Sequence, residues 1–318
     1  MKIVVMEADT LGKDVDLSIF EKFGELTVYP ASDLKENAGR IKDADIIIAN
    51  KIRMDAELLD GANDLKLICL TATGTNVVDF DYTNGRGITV TNVKGYSTMS
   101  VAQHTFALLF YVYEKLRYYD DFVKSGGYAK NDVFSHFTKE FHELAGKTWG
   151  IIGLGDIGRK VAEIAASFGC KVVYYSTSGK NDNPVYERRT LEEVLSASDI
   201  VSVHAPLNDA TRSLVGREQF ALMKPSAVFL NLGRGPIVDE EALADALLEG
   251  QIAAAGLDVL CVEPMSPDNP LLKVKDSDRL IITPHIAWAT VEARRRCAQE
   301  VAENIEAFLE GRERNVVR

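Results

Sequence analysis

Midway along the chain, the apolar run at residues 148–152 leads directly into Gly153-Leu154-Gly155-Asp156-Ile157-Gly158, and that turn opens a stretch with apolar residues at Val161, Ile164, Ala165 and Phe168. A short apolar run, a glycine-spaced turn and a helical period in this order describe a strand feeding a helix. The first glycine permits a tight turn, the second lets backbone approach a pyrophosphate, and the third lets helix and strand pack closely, while the helix N-terminus favours negative charge. With a second apolar run at residues 171–175, the context is that of a dinucleotide-binding turn and not of a merely structural one.

The rest of the chain fits around that unit. Short apolar runs at residues 3–6, 26–29, 46–49 and 67–70 alternate with helix-like stretches, and a longer series follows at 148–152, 171–175, 200–203, 227–230, 253–257 and 280–282. Such alternation predicts α/β architecture with parallel sheets and helical crossovers, the second series forming a six-stranded doubly wound sheet. At 318 residues the chain exceeds what one core supports efficiently, so two domains are expected. Residues 97–113 read as a long apolar helix capped by Ser97 or Thr98 and buried between the domains. The following stretch, at about 117–146, carries Tyr118, Tyr119, Phe122, Tyr128, Phe134, Phe137 and Phe141 without periodicity. It is expected to be an irregular aromatic arm that packs either on a partner subunit, giving a homodimer, or on its own domain. Val291, Ala298, Val301, Ile305 and Phe308 space a closing amphipathic helix that Gly311 ends, expected to return to the first domain.

Charge and cysteine usage exclude several classes. A net charge of −11 with no dense Lys/Arg run opposes binding to nucleic acid or an anionic membrane. Arg294, Arg295 and Arg296 read as a solvated or salt-bridged helix face. Cys69, Cys170, Cys261 and Cys297 form no CxxC pair, which suits buried, reduced thiols in a cytoplasm and offers no metal site. The apolar start, residues 1–6, is too short for a signal peptide or a membrane span.

An NAD site commonly ends its second strand with a carboxylate for the adenosine ribose. Here Ser176-Thr177-Ser178-Gly179-Lys180 occupies that place. Hydroxyls at Ser176 and Thr177 and the cation of Lys180 admit a 2′-phosphate and tilt the reading of an NAD(P) cofactor toward NADP, while Asp182 nearby keeps a neutral turn accepting either cofactor in play.

Three later segments carry chemistry: Asn231-Leu232-Gly233-Arg234-Gly235; Gly256-Leu257-Asp258-Val259 running on to Glu263-Pro264; and Thr283-Pro284-His285-Ile286-Ala287-Trp288. Each lies just beyond a predicted parallel strand, where ligands of doubly wound sheets bind, so Arg234, Glu263 and His285 are expected in one crevice. Singly these residues suit an ion pair, a solvated loop and a turn; together after a dinucleotide turn they suit catalysis. His104, His136 and His142 are assigned packing or surface roles, and His204-Ala205-Pro206, after a strand end, the lining of the cofactor cleft.

Over essentially its whole length, and in the order and spacing of these segments, the sequence resembles the D-isomer-specific 2-hydroxyacid dehydrogenases. Gly95-Tyr96-Ser97, Ser100-Val101-Ala102-Gln103-His104-Thr105 and the His-Ile-Ala-Trp stretch look like the glycerate dehydrogenase (hydroxypyruvate reductase) branch. The resemblance implies hydride transfer between NAD(P)H and a small 2-keto acid, hydroxypyruvate first, with glyoxylate or pyruvate as alternatives. A guanidinium such as Arg234 can clamp the substrate carboxylate and polarise its carbonyl. His285 would exchange the proton, and Glu263 would hold the imidazole and favour its charged form. The resemblance further implies that Asp156 and Ile157 meet the pyrophosphate, Leu232 and Gly233 the nicotinamide side, and Asp258 the carboxamide. It places Thr73, Gly74 and Thr75 at the substrate carboxylate, with Asn50 and Lys51 as weaker candidates. It also implies a flavodoxin-like substrate domain of residues 1–98 plus 287–318, with a Rossmann-type cofactor domain of residues 99–286 inserted and closing over substrate. A cofactor-sensing, corepressor-like protein of the same fold is the alternative.

Overall fold

Where both faces of a strand are covered, its residues can all be apolar, and that is why the apolar runs map onto strands so directly. The computed structural model describes residues 1–318. The strands are β1 (Lys2–Val5), β2 (Glu25–Val28), β3 (Ile46–Ala49), β4 (Leu67–Leu70) and β5 (Thr89–Thr91). They continue with β6 (Thr148–Ile152), β7 (Lys171–Tyr175), β8 (Glu187–Arg188), β9 (Ile200–Val203), β10 (Val228–Asn231), β11 (Ala254–Leu257) and β12 (Leu280–Ile282). A short β13 (Val316–Val317) ends the chain. The chain divides into two compact units, residues 1–97 with 288–318, and residues 98–287.

In the first unit the sheet order is β13-β5-β4-β3-β1-β2, parallel except for antiparallel β13. Alternation divides each strand between two cores. Ile3, Val5, Ile46, Ile48, Leu67 and Cys69 pack with Ala293, Cys297, Val301 and Ile305 of the terminal helix, Val291–Leu309. Val4, Ile47, Ile68 and Leu70 face the opposite core with Ile41, Leu59 and Ile88. Thr290 caps that helix by accepting the Ala293 N–H, and the expected arginine face is tied down, Arg294 to Asp14 and Arg296 to the Tyr96 carbonyl.

The second unit has the order β12-β11-β10-β9-β6-β7-β8, all parallel. This sheet has seven strands where six were expected, because the polar pair Glu187–Arg188 adds an edge to β7. The arm expectation also needs correction. Leu116–Lys124 is helical, so the segment is not a continuous irregular loop. Its aromatics cluster among themselves: Phe122 stacks on His136 at 3.8 Å and the Tyr118 hydroxyl sits 2.8 Å from His136 Nε2. Phe134 and Phe137 remain 90% and 81% exposed. Cys69, Cys170 and Cys297 are buried, whereas Cys261 is exposed, against the expectation that all four are core thiols.

In a doubly wound sheet the crevice opens where the strand order reverses. In the first unit that point lies between β1 and β3, and a side chain fills it. The buried Glu7 carboxylate accepts the N–H groups of Asn50 and Lys51 at 2.8 Å and of Ile52 at 3.2 Å. Asn50 is accordingly buried, with its amide already committed. Glu7→Ala leaves three amides without their charged acceptor and is expected to lower unfolding free energy in urea by about 2–4 kcal/mol, Glu7→Gln by less. An unchanged urea midpoint in Glu7→Ala would contradict this role.

Candidate active site

The second unit's reversal lies between β6 and β9, and here glycines stand where side chains would otherwise project. Gly153 follows β6 at φ +92°, and a Cβ on it would fall 2.8 Å from the Ala205 backbone that follows β9. A Cβ on Gly158 would fall 2.3 Å from the Gly153 carbonyl oxygen, so this glycine sets the close approach of helix Asp156–Ser167 to the turn. Gly155, at the helix N-cap, has nothing within 4 Å of its would-be side chain. A bare backbone cradle at a helix N-terminus fits a pyrophosphate both in shape and in charge. Asp156 points its carboxylate to Arg159. Leu232 and Gly233 are buried beside the same wall, a Cβ on Gly233 falling 2.9 Å from the Ala205 carbonyl oxygen.

At the far end of β7 the ribose-side turn is partly occupied by its own contacts. Ser176 is buried and its hydroxyl oxygen accepts the Asn181 N–H, while Lys180 is exposed. The guanidinium of Arg188 lies 3.8 Å from where a Gly179 side chain would begin, adding a cation that the sequence did not flag. His204 is held by Ser202, 3.1 Å from Nε2, and Ser202 in turn accepts from the Trp149 indole N–H. Burial drives the His204 pKa down to about 3, so this imidazole stays neutral. Pro206 is exposed.

The three catalytic candidates sit on loops after β10, β11 and β12. Glu263 Oε2 lies 2.7 Å from His285 Nδ1, and Glu263 Oε1 accepts the Leu260 N–H at 3.0 Å. A carboxylate only accepts, so Nδ1 carries a proton and Nε2 is the nitrogen left to exchange one. His285 holds a left-handed backbone at φ +55°, with its N–H on the Asp258 carbonyl at 2.9 Å. Asp258, 2% exposed, accepts the Thr283 hydroxyl at 2.6 Å and the N–H groups of Ile286 at 2.9 Å and Ala287 at 2.8 Å. Its Oδ2 takes one of these donors and keeps capacity for another, such as a carboxamide.

Arg234 is placed by a clamp that sequence reading passed over. The Asn231 side-chain amide donates to the Arg234 carbonyl, and its oxygen accepts the Gly233 N–H, both at 3.1 Å. The next residue, Gly235, abuts the Leu260 carbonyl: a Cβ there would fall 1.9 Å from the carbonyl carbon. The Arg234 turn and the loop leading to Glu263 are therefore interlocked through backbone. His104, expected to play a packing or surface role, instead lies 2.9 Å from Thr283 Oγ1, within this network. Its partner stands 179 residues along the chain, so no local pattern announces it. Thr73, Gly74 and Thr75 belong to the first unit, where Thr73 donates to the Val93 carbonyl and accepts, through its own carbonyl, from Asn92.

Residues 106–287 match the NAD binding domain of the D-isomer specific 2-hydroxyacid dehydrogenases. Over 100% of the chain and 99% of its relative, the sequence is 39% identical to a hydroxypyruvate reductase of Blautia hydrogenotrophica. It is 37% identical to a glycerate dehydrogenase of Methylorubrum extorquens, over 99% and 98% of the two chains. Among solved structures, an acyclic imino acid reductase in complex with NADPH and D-Arg is 31% identical over the whole of both chains, with a TM-score of 0.89.

Gly235→Ala must push the Arg234 turn off the Leu260 backbone. It is expected to cut 2-keto acid turnover by about 100-fold, since displacements of about 1 Å have that cost. Cofactor affinity, held by Gly153 to Gly158, is expected to stay within a few-fold. Steady-state rates and a fluorescence titration of NADH measure the two, and full turnover in the variant would contradict the interlock.

Proposed function

Because the chain belongs to the D-isomer-specific 2-hydroxyacid dehydrogenase family, we propose that it reduces hydroxypyruvate to D-glycerate, or runs that reaction backwards. It is an NAD(P)-dependent oxidoreductase acting on small 2-keto and 2-hydroxy acids. The observation that carries the reading is the 2.7 Å contact between Glu263 and His285 Nδ1, which orients a proton-exchanging nitrogen at the same carboxyl end of the sheet as the glycine turn after β6. The preference for hydroxypyruvate is supported by the names of the two relatives, both aligned over nearly their full length.

When bound, the nicotinamide supplies or receives the hydride. Gly153, Gly155, Asp156, Ile157 and Gly158 would hold its pyrophosphate, Leu232 and Gly233 its nicotinamide side with His204 and Pro206 along the same wall, and Asp258 Oδ2 its carboxamide. The Arg234 guanidinium pairs bidentately with the substrate carboxylate and draws electron density from the adjacent carbonyl. Lysine, a point charge, lacks that fork. His285 Nε2–H passes its proton to the keto oxygen as negative charge develops there, and Glu263 keeps the resulting ring in place through Nδ1. In the oxidative direction Nε2 takes the hydroxyl proton. We take residues 1–98 with 287–318 as the substrate domain, with Thr73, Gly74 and Thr75 as its substrate-side candidates and Asn50, whose N–H is held by Glu7, as the weakest of them, and residues 99–286 as the cofactor domain.

Lys180 and Arg188 favour NADP, with Thr177 beside them and Ser176 contributing only a buried hydroxyl. Exposed Phe134 and Phe137 favour a homodimer formed through the arm. Three buried free thiols suit a reducing compartment such as the cytoplasm, and no helix is long and apolar enough to cross a membrane.

The test mixes purified protein with hydroxypyruvate, glyoxylate or pyruvate and follows NADPH and NADH oxidation separately, with light scattering reporting the assembly. Hydroxypyruvate is expected to be fastest. Arg234→Ala is expected to lose at least about 1,000-fold in kcat/KM, as befits removal of a charge-assisted clamp at the reacting centre. Lys180→Ala with Arg188→Ala is expected to raise KM for NADPH about tenfold and to leave KM for NADH unchanged. Cofactor binding without turnover of any of these acids would overturn the enzymatic reading in favour of a cofactor sensor.

A further inference from the structure

His104 has no task in the chemistry above, yet it is tied to the catalytic loop. It lies on the helix Thr98–Tyr113, with Nε2 2.9 Å from Thr283 Oγ1 and 3.6 Å from Asp258 Oδ1. The direction of the bonds follows from the chemistry of the groups. Thr283 Oγ1 is 2.6 Å from Asp258 Oδ1, and because the carboxylate can only accept, the hydroxyl proton points at Asp258. The hydroxyl oxygen therefore accepts from His104, which must carry its proton on Nε2. From Asp258 the network runs to three successive backbone amides: His285 N–H on the Asp258 carbonyl, and Ile286 and Ala287 N–H on its carboxylate.

We propose that His104 and Thr283 are positioning residues for the acid–base histidine, holding residues 285–287 through Asp258 so that His285 Nε2 stands where the keto oxygen needs its proton. The inference rests on the reductase reading above. Its physical basis is that His285 occupies a left-handed backbone conformation at φ +55°. For a residue with a Cβ, this costs on the order of 1–2 kcal/mol and persists only where surrounding bonds impose it. Asp258 imposes it, and at 2% exposure its carboxylate has little access to water. Losing the Thr283 hydroxyl leaves Oδ1 short of a donor and lets the carboxylate rotate, releasing two amides of the loop. Burial lowers the His104 pKa against the opposing charge of Asp258, so the imidazole enters the network as a neutral Nε2–H donor.

Two substitution pairs separate positioning from packing. Thr283→Val keeps the shape and deletes the hydroxyl, and Thr283→Ser restores it. His104→Leu deletes the donor, and His104→Gln returns an amide N–H. In Thr283→Val, kcat for hydroxypyruvate at saturating NADH is expected to fall about 10- to 100-fold with KM for hydroxypyruvate within about threefold, while the NADH dissociation constant rises by less than the fall in kcat because Asp258 also faces the carboxamide, the pattern of a misaimed catalytic group. Thr283→Ser is expected to recover to within about threefold of the parent, and His104→Leu and His104→Gln to repeat the contrast at about half the size in log kcat. The inference is overturned if Thr283→Val keeps kcat within about twofold of the parent, if the serine and glutamine variants fall as far as their partners, or if the loss tracks weakened NADH binding. Should Thr283→Val fail to bind NADH or to melt cooperatively, the His104 pair decides by the same criteria. Parent protein that turns over no 2-keto acid defeats the reductase reading and this inference together, whereas an active parent with indifferent variants defeats this inference alone.

Discussion

A buried carboxylate must find donors or lose its charge, and this requirement at Asp258 organises the catalytic end of the second unit. With 2% exposure it recruits the Thr283 hydroxyl and the amides of Ile286 and Ala287, while its own backbone joins Asn231 to His285. The strand ends of β10, β11 and β12 are thereby joined at one residue. Arg234, Glu263 and His285 each sit within a few residues of that junction. Glu263 then needs only its 2.7 Å contact to fix the ring, because the backbone beneath the ring is already fixed.

The two sheets apply the same topology to different ends. Each reverses its strand order and so creates a crevice at the carboxyl ends of its strands. In the first unit Glu7 fills the crevice and spends three amides on its own carboxylate, stabilising the loop after β3. In the second unit the equivalent place holds glycines whose missing side chains leave room at Gly155. Backbone amides gathered on an internal carboxylate make structure, whereas a helix N-terminus left bare by glycine suits an external anion.

The sequence was most legible where a strand is itself an apolar run, whether fully buried as in β3, β4 and β9 or half-buried as in β12. β3, β4, β6, β7, β9 and β12 coincide with their apolar runs, whereas β1, β2 and β10 are displaced by one residue and β11 starts one residue later. The polar edge pair Glu187–Arg188 and the two-residue Val316–Val317 left no such signal, being held by neighbours and not by composition. The helix Leu116–Lys124 escaped because its aromatics stack on each other and on His136 instead of lining one core face. At the site, residues on strand ends were readable from motif position. Their supports, Asn231 and His104, were not, since a carbonyl or hydroxyl partner imposes no recognisable residue type.

The account turns on His285 presenting Nε2 while Nδ1 is committed to Glu263. Nitrogen-15 NMR of the histidine-labelled protein reads that directly. The account predicts a protonated Nδ1 for His285, with a downfield-shifted hydrogen-bonded proton that is lost in Glu263→Ala. A neutral His285 ring carrying its proton on Nε2, with Nδ1 bare, would contradict it.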